Sequence, residues 1–180
     1  MNKSMRETRQ NLCAFPTPAL ILMTLMMASG AAQAKIPSGD LWGFINHIRP
    51  ALRDLTVANT AQFPLTLSPV EQNEYTQFYT AKPVFLEKGG QLNDIDIRLS
   101  KSLNDHAPFM RFTWQGQCVT LPTIKTHFPQ LTLTDVPHGH SENETTSYTS
   151  VADANGQSVS FAFAVKQPDC LQQVVIASRD

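Results

Sequence analysis

The chain has 180 residues, 42% hydrophobic and 16% charged, with 14 Lys/Arg against 15 Asp/Glu for a formal net charge of −1. Neutralising a phosphate backbone takes a basic excess that this balance lacks, so nucleic acid is not an expected partner. No repeat of fixed period and no low-complexity tract interrupts the sequence, which excludes solenoid and fibrous classes.

At the N-terminus Lys3, Arg6 and Arg9 precede the apolar run 19–27, which gives way to small residues and then to Ala32-Gln33-Ala34. Basic flank, short apolar core and an A-x-A site are the order of a signal peptide, so cleavage before Lys35 is expected. The run is shorter than the roughly 20 residues a bilayer-crossing helix needs, so no stable membrane insertion is expected after cleavage. Cys13 precedes the apolar run and is misplaced for a lipid-modified first residue. The expected organisation is therefore a signal peptide over 1–34 and a single α+β extracytoplasmic domain over 35–180, periplasmic or secreted. Removing Lys3, Arg6, Arg9 and Glu7 leaves 11 basic against 14 acidic side chains, still only mildly acidic.

After an extended Ile36-Pro37, residues 40–57 place Leu41, Ile45, Ile48, Leu52 and Leu55 on one helical face, and Pro50 predicts a kink or two short helices. Phe63, Leu65 and Leu67 alternate as a brief edge strand. Ser68-Pro69-Val70-Glu71 carries a cap acceptor, a proline at the first turn and a carboxylate three residues on, which predicts a helix with Tyr75, Phe78 and Tyr79 on one face, ended by Pro83.

From Val84 the period becomes two. A hairpin is expected from 84–87 through Gly89-Gly90 to 92–99, with Ile95, Ile97 and Leu99 inward and Asp94, Asp96 and Arg98 outward. Met110, Phe112 and Trp114 repeat the alternation, and Leu121, Ile124 and Phe128 suggest a short helix within 120–131. A three-stranded meander follows: 145–151, a type I′ turn at Asn155-Gly156, 158–165 with Val159, Phe161, Phe163 and Val165 inward, a turn at Gln167-Pro168-Asp169, and 171–176.

Cys118 and Cys170 are the cysteines left after cleavage, and an even count in an oxidising compartment predicts one disulfide. It would close a loop of about 50 residues and tie the last strand to the region after Trp114, stabilising by roughly 4 kcal/mol on a chain-entropy argument. No C-x-x-C spacing suggests a redox role. The predicted class is α+β: N-terminal helices packed on an antiparallel sheet that ends in a three-stranded meander. This layout resembles small extracytoplasmic inhibitor, immunity and scaffold domains, without a shared motif.

The most concentrated polar segment is Pro137-His138-Gly139-His140-Ser141-Glu142-Asn143-Glu144. His138 and His140 could ligate Zn²⁺ or Cu²⁺ if a third ligand arrived from elsewhere, but His-x-His alone also describes a solvated loop. Binding a partner through His138, His140 and Glu142 demands less geometry than coordination. Ser141 lacks the glycine two residues on that a nucleophile elbow needs. Asp94 and Asp96 lie on a solvated strand face, Asp105-His106 suits a turn, and His47 sits on the first helix without an evident partner. Asn143-Glu144-Thr145 matches a glycan acceptor pattern, with no modification expected in a bacterial periplasm. Asp153 to Gly156 lacks the later glutamate of a calcium loop. The expectation is a non-enzymatic exported binding protein, inhibitor-like or immunity-like, acting on a protein partner without a cofactor. The alternatives are a periplasmic metal-binding protein using His138/His140 and a hydrolase whose site assembles only in three dimensions.

Overall fold

The computed structural model describes residues 39–102 and 106–178. The expected signal peptide, its cleavage site, Cys13, Ile36-Pro37, Asn104 and Asp105 lie outside them. The architecture is α+β: two helices and a nine-strand antiparallel sheet, with one disulfide.

Helix α1 spans Leu41–Arg53 and buries Leu41, Phe44, Ile45, Ile48 and Leu52, the apolar stripe read from the sequence. Burying each such side chain contributes roughly 1.5–3 kcal/mol. It begins at Asp40, whose Oδ1 accepts the Gly43 N–H at 2.9 Å. The helix runs unbroken through Pro50 rather than splitting there. Proline removes the donor that would serve the Asn46 carbonyl, but Asn46 and Pro50 are both exposed, so water can replace the lost bond. The helix ends four residues short of the expected Val57. A 3₁₀ turn follows at Thr60–Gln62, and the strand expected over 63–67 is absent; Phe63 and Leu65 are buried in irregular chain instead.

The predicted helix after Ser68 is a β-hairpin. Strand β1 (Leu67–Gln72) pairs antiparallel with β2 (Thr76–Ala81), and β2 pairs in turn with β4 (Gln91–Ser100). The cap-like Ser-Pro-x-Glu signal is local, whereas β2 gains a full ladder with β4 and buries Tyr79 against the core, and that non-local pairing prevails. Asn73 turns the hairpin, its Oδ1 accepting the N–H groups of Tyr75 and Thr76 at 2.9 and 2.7 Å. Pro69 sits where it costs no ladder bond, in an edge strand with a register shift between Pro69 and Glu71.

Strand β3 (Val84–Phe85) joins the same side of β4 as β2, beyond the break at Lys82-Pro83. The Gly89-Gly90 hairpin forms as expected, and Ile95, Ile97 and Leu99 are buried. Asp94 holds a left-handed φ of 49° at a bulge, which is why Leu92 and Ile95, three apart, both face inward. Strand β5 (Phe109–Gln115), short helix α2 (Leu121–His127), β6 (Leu131–Asp135), β7 (Thr145–Ser150), β8 (Gln157–Ala164) and β9 (Leu171–Ser178) complete the chain.

The strand order is β1-β2-β4-β5-β9-β8-β7-β6, so the expected meander β7-β8-β9 is present and the unforeseen β6 extends it to an open edge. Facing residues align as rows: Tyr79, Ile97, Met110, Ile176 and Val159 in one, Phe112, Val174, Phe161, Tyr148 and Leu133 in the next. These rows lie beneath α1, where Phe44 meets Phe112 edge-on at 5.5 Å. On the opposite face Arg98 lies between the rings of Phe78 and Phe109, 5.6 and 4.8 Å from their centroids.

Two details of the last hairpin differ from expectation. Gly156 alone takes a positive φ, 78°, while its N–H donates to the Asp153 carbonyl. Asp153 Oδ1 also accepts from Asn155 and Gln157 N–H, so this is an Asp-anchored turn closed by glycine and not type I′. Val165 is 46% exposed, because β8 ends at Ala164 and the chain turns away. Cys118 and Cys170 are bonded, joining the segment before α2 to the start of β9, where Leu171 N–H also donates to the Val119 carbonyl at 2.9 Å.

Candidate functional site

The histidine loop, 136–144, connects β6 to β7 at one corner of the sheet. Glu144 organises it. Its Oε2 accepts the N–H groups of His138 and Gly139 at 2.5 and 2.8 Å, and its Oε1 those of His140 and Ser141 at 2.6 and 3.0 Å. Four successive amides converging on one carboxylate form a nest, the backbone concavity that suits an anion. Gly139 makes the curvature available, with φ at 80°. The Gly139 N–H, with those of His140, His138 and Ser141, holds the Glu144 carboxyl below its ordinary range, outweighing the opposing effect of desolvation.

Backbone bonds fix the loop while its side chains point outward. His138, His140 and Glu142 are all exposed. Glu142 forms an ion pair with Lys166, His138 Nε2 stands 4.0 Å from Asp135, and the Glu144 carbonyl accepts the Val165 N–H at 3.1 Å, which binds the loop to the segment after β8. Ser141 Oγ accepts the Asn143 N–H, a turn contact. Two exposed apolar side chains belong to the same corner: Val136, directly after β6, and Val165, beyond β8 and bonded to Glu144.

No group of three or more His, Cys, Asp or Glu among the described residues is placed to hold a metal ion, and Glu144, the carboxylate closest in sequence to His140 after Glu142, is occupied by backbone amides. The other sequence candidates are scattered. Asp94 accepts from Thr113 Oγ1 at 2.9 Å, Asp96 pairs with Arg98 at 2.8 Å, and His47 is exposed on α1. Asp153 spends its oxygens on the hairpin turn and on Arg49, 2.6 Å away. Each of these carboxylates has a structural employment.

Glu144 is the residue that sequence reasoning passed over. Its signal was present as Ser141-x-x-Glu144, the spacing at which a carboxylate reaches back to free amides, preceded by a glycine. No helix among the described residues is long and apolar enough to cross a membrane. No family model, curated protein or solved structure matches this chain.

Proposed function

We propose that this protein is a non-enzymatic exported binding protein that holds or blocks a protein partner in the periplasm, with the 136–144 corner as its contact surface. The observation that carries this reading is the pre-ordered histidine loop flanked by exposed Val136 and Val165. A loop already fixed by its own backbone bonds loses little conformational freedom on binding, which is where much of the cost of association lies. Apolar side chains clustered with polar, titratable ones match the anatomy of a protein interface, a dry centre with a polar rim. Export of the kind expected from residues 1–34 would put that surface outside the cytoplasm, which fits this reading.

The test is native mass spectrometry of the protein isolated from its own cell envelope without reductant, followed by affinity measurement with the partner that co-purifies. Replacing His138, His140 and Glu142 together by Ala is expected to weaken that complex at least about tenfold, equivalent to ~1.4 kcal/mol. Thermal stability should hold, because all three side chains are exposed and the Glu144 nest is untouched. Unchanged affinity, or lost stability with binding intact, would overturn the assignment.

A further inference from the structure

A second feature lies at the other end of β6 and β7. A cleft of about 330 Å³ is lined by Trp42, Asn46 and Arg49 of α1, by His127 at the end of α2 and Phe128 to Gln130 after it, and by Ser150 and Val151 where β7 ends. Strand β7 has six residues, which at ~3.3 Å each puts the cleft nearly 20 Å from the histidine loop. Pockets that take small ligands begin at roughly 300 Å³, so this one has room for a single ring-sized group.

Its walls combine a stacked aromatic surface with solvent-exposed polar groups that make no bond within the described residues. Trp42 and His127 stack at 4.1 Å with an interplanar angle of 17°, and Phe128 packs against both Trp42 and Phe161. The Trp42 indole N–H, the Asn46 and Gln130 side-chain amides and the His127 imidazole make no hydrogen bond among the described residues. Pro50 leaves the Asn46 carbonyl without its helical donor. Arg49 commits Nε to Gln157 Oε1 and Nη2 to Asp153 and the Gln157 carbonyl, which leaves Nη1 with two free N–H groups.

Charge distinguishes between ligand classes. Arg49 is the fixed cation of the lining and Asp153 already neutralises it at 2.6 Å, so an anion would gain little net field there. An apolar ligand would strand the amides and the guanidinium edge without partners. A neutral, hydroxyl-rich ring satisfies both demands: each hydroxyl donates and accepts, as the Asn46 and Gln130 amides do, and its C–H face suits an aromatic wall. We propose that this cleft binds a neutral saccharide, one pyranose ring seated against the Trp42–His127 wall and hydrogen-bonded by Asn46, Gln130 and Arg49.

Isothermal titration of the native protein with the neutral disaccharides chitobiose, cellobiose and maltose tests the proposal, with sodium benzoate as the anionic competitor. At least one disaccharide should bind with Kd on the order of 1 mM or tighter. The double variant Asn46→Ala/Gln130→Ala should bind it at least tenfold more weakly, with an unchanged melting temperature since neither side chain bonds within the described residues. Binding should also alter Trp42 fluorescence, read in a Trp114→Phe background. Absence of binding by all three sugars, equal affinity in the double variant, or benzoate binding more tightly than every sugar would each overturn it.

Discussion

Glu144 orders the histidine loop by charge as well as by shape, so the loop's order should depend on pH in a definite direction. Its folded-state pKa is lowered, chiefly by the Gly139 N–H and then by those of His140, His138 and Ser141. The contribution is complete above the ordinary carboxylate range and is lost as pH falls through the lowered value, when the proton removes the charge the amides face. Hydrogen exchange of the 138–141 amides should therefore show protection at neutral pH that fades in acid. Glu144→Gln should abolish that dependence and speed exchange at neutral pH, with little change in the melting temperature, since the carboxylate is at the surface. Protection that persists in acid, or survives the substitution, would mean that Gly139 and Ser141 set the loop's shape without the charge. Composition alone drew attention to His138, His140 and Glu142, the outward-pointing members of the segment. The organising residue was less visible, because residue type says nothing of where four backbone N–H groups converge.

At the scale of elements, what was legible in the sequence followed hydrophobic period and glycine chemistry. The α1 stripe, the alternation of Ile95, Ile97 and Leu99, and the Gly89-Gly90 hairpin all formed as expected because each is specified within its own segment. The β1–β2 hairpin is not legible locally because Ser68-Pro69-Val70-Glu71 carries a genuine local helix signal, while the partner that makes it a sheet, β4, lies about twenty residues further on. Strand β6 is faint in the sequence for a different reason: Leu131–Asp135 is short and mostly exposed, with little hydrophobic contrast to read. The two hairpin glycines allow conformational and packing costs to be separated. Gly89 and Gly90 have φ of 93° and 95°, but a Cβ on Gly89 meets nothing within 4 Å, whereas one on Gly90 would stand 2.1 Å from Trp114 Cη2. Gly89→Ala should thus cost only the left-handed backbone penalty, about 1–2 kcal/mol. Gly90→Ala should cost a further ~1–3 kcal/mol from displacing Trp114, whose Nε1–H donates to the Gln117 carbonyl. Urea unfolding of both variants checks this; equal losses would show that Trp114 moves aside freely.

Across the whole molecule, helix α1 works as a strap. At its start Asp40 pairs with Lys88 at 3.0 Å, beside the β3–β4 hairpin, and near its end Arg49 bonds Asp153 and Gln157 while Gln157 Nε2 returns a bond to the Arg49 carbonyl. A helix of 13 residues spans roughly 20 Å, enough to pass over β4, β5, β9 and β8 at their ~4.8 Å spacing. The disulfide closes a segment that the strap itself grips by hydrogen bonds at Asp153 and Gln157. Cys118 and Cys170 are 52 residues apart, and between them lie α2, β6, β7 and β8, including both the histidine loop and part of the cleft. Closing that loop in the unfolded ensemble stabilises the fold by roughly 4 kcal/mol in the chain-entropy model. The Cys118→Ser/Cys170→Ser variant should therefore unfold at lower denaturant with a loss near that value, and with a larger m-value because its unfolded chain is less compact. Its native circular dichroism should match the oxidised protein, since the buried rows of the sheet involve neither cysteine. Cys118 is exposed, so a phosphine reductant should reproduce the effect on the wild-type chain without prior unfolding. A loss much under ~1 kcal/mol with an unchanged m-value would place the stability in the α1 strap and the sheet, and would show that the 118–170 segment stays compact unfolded even without its bond.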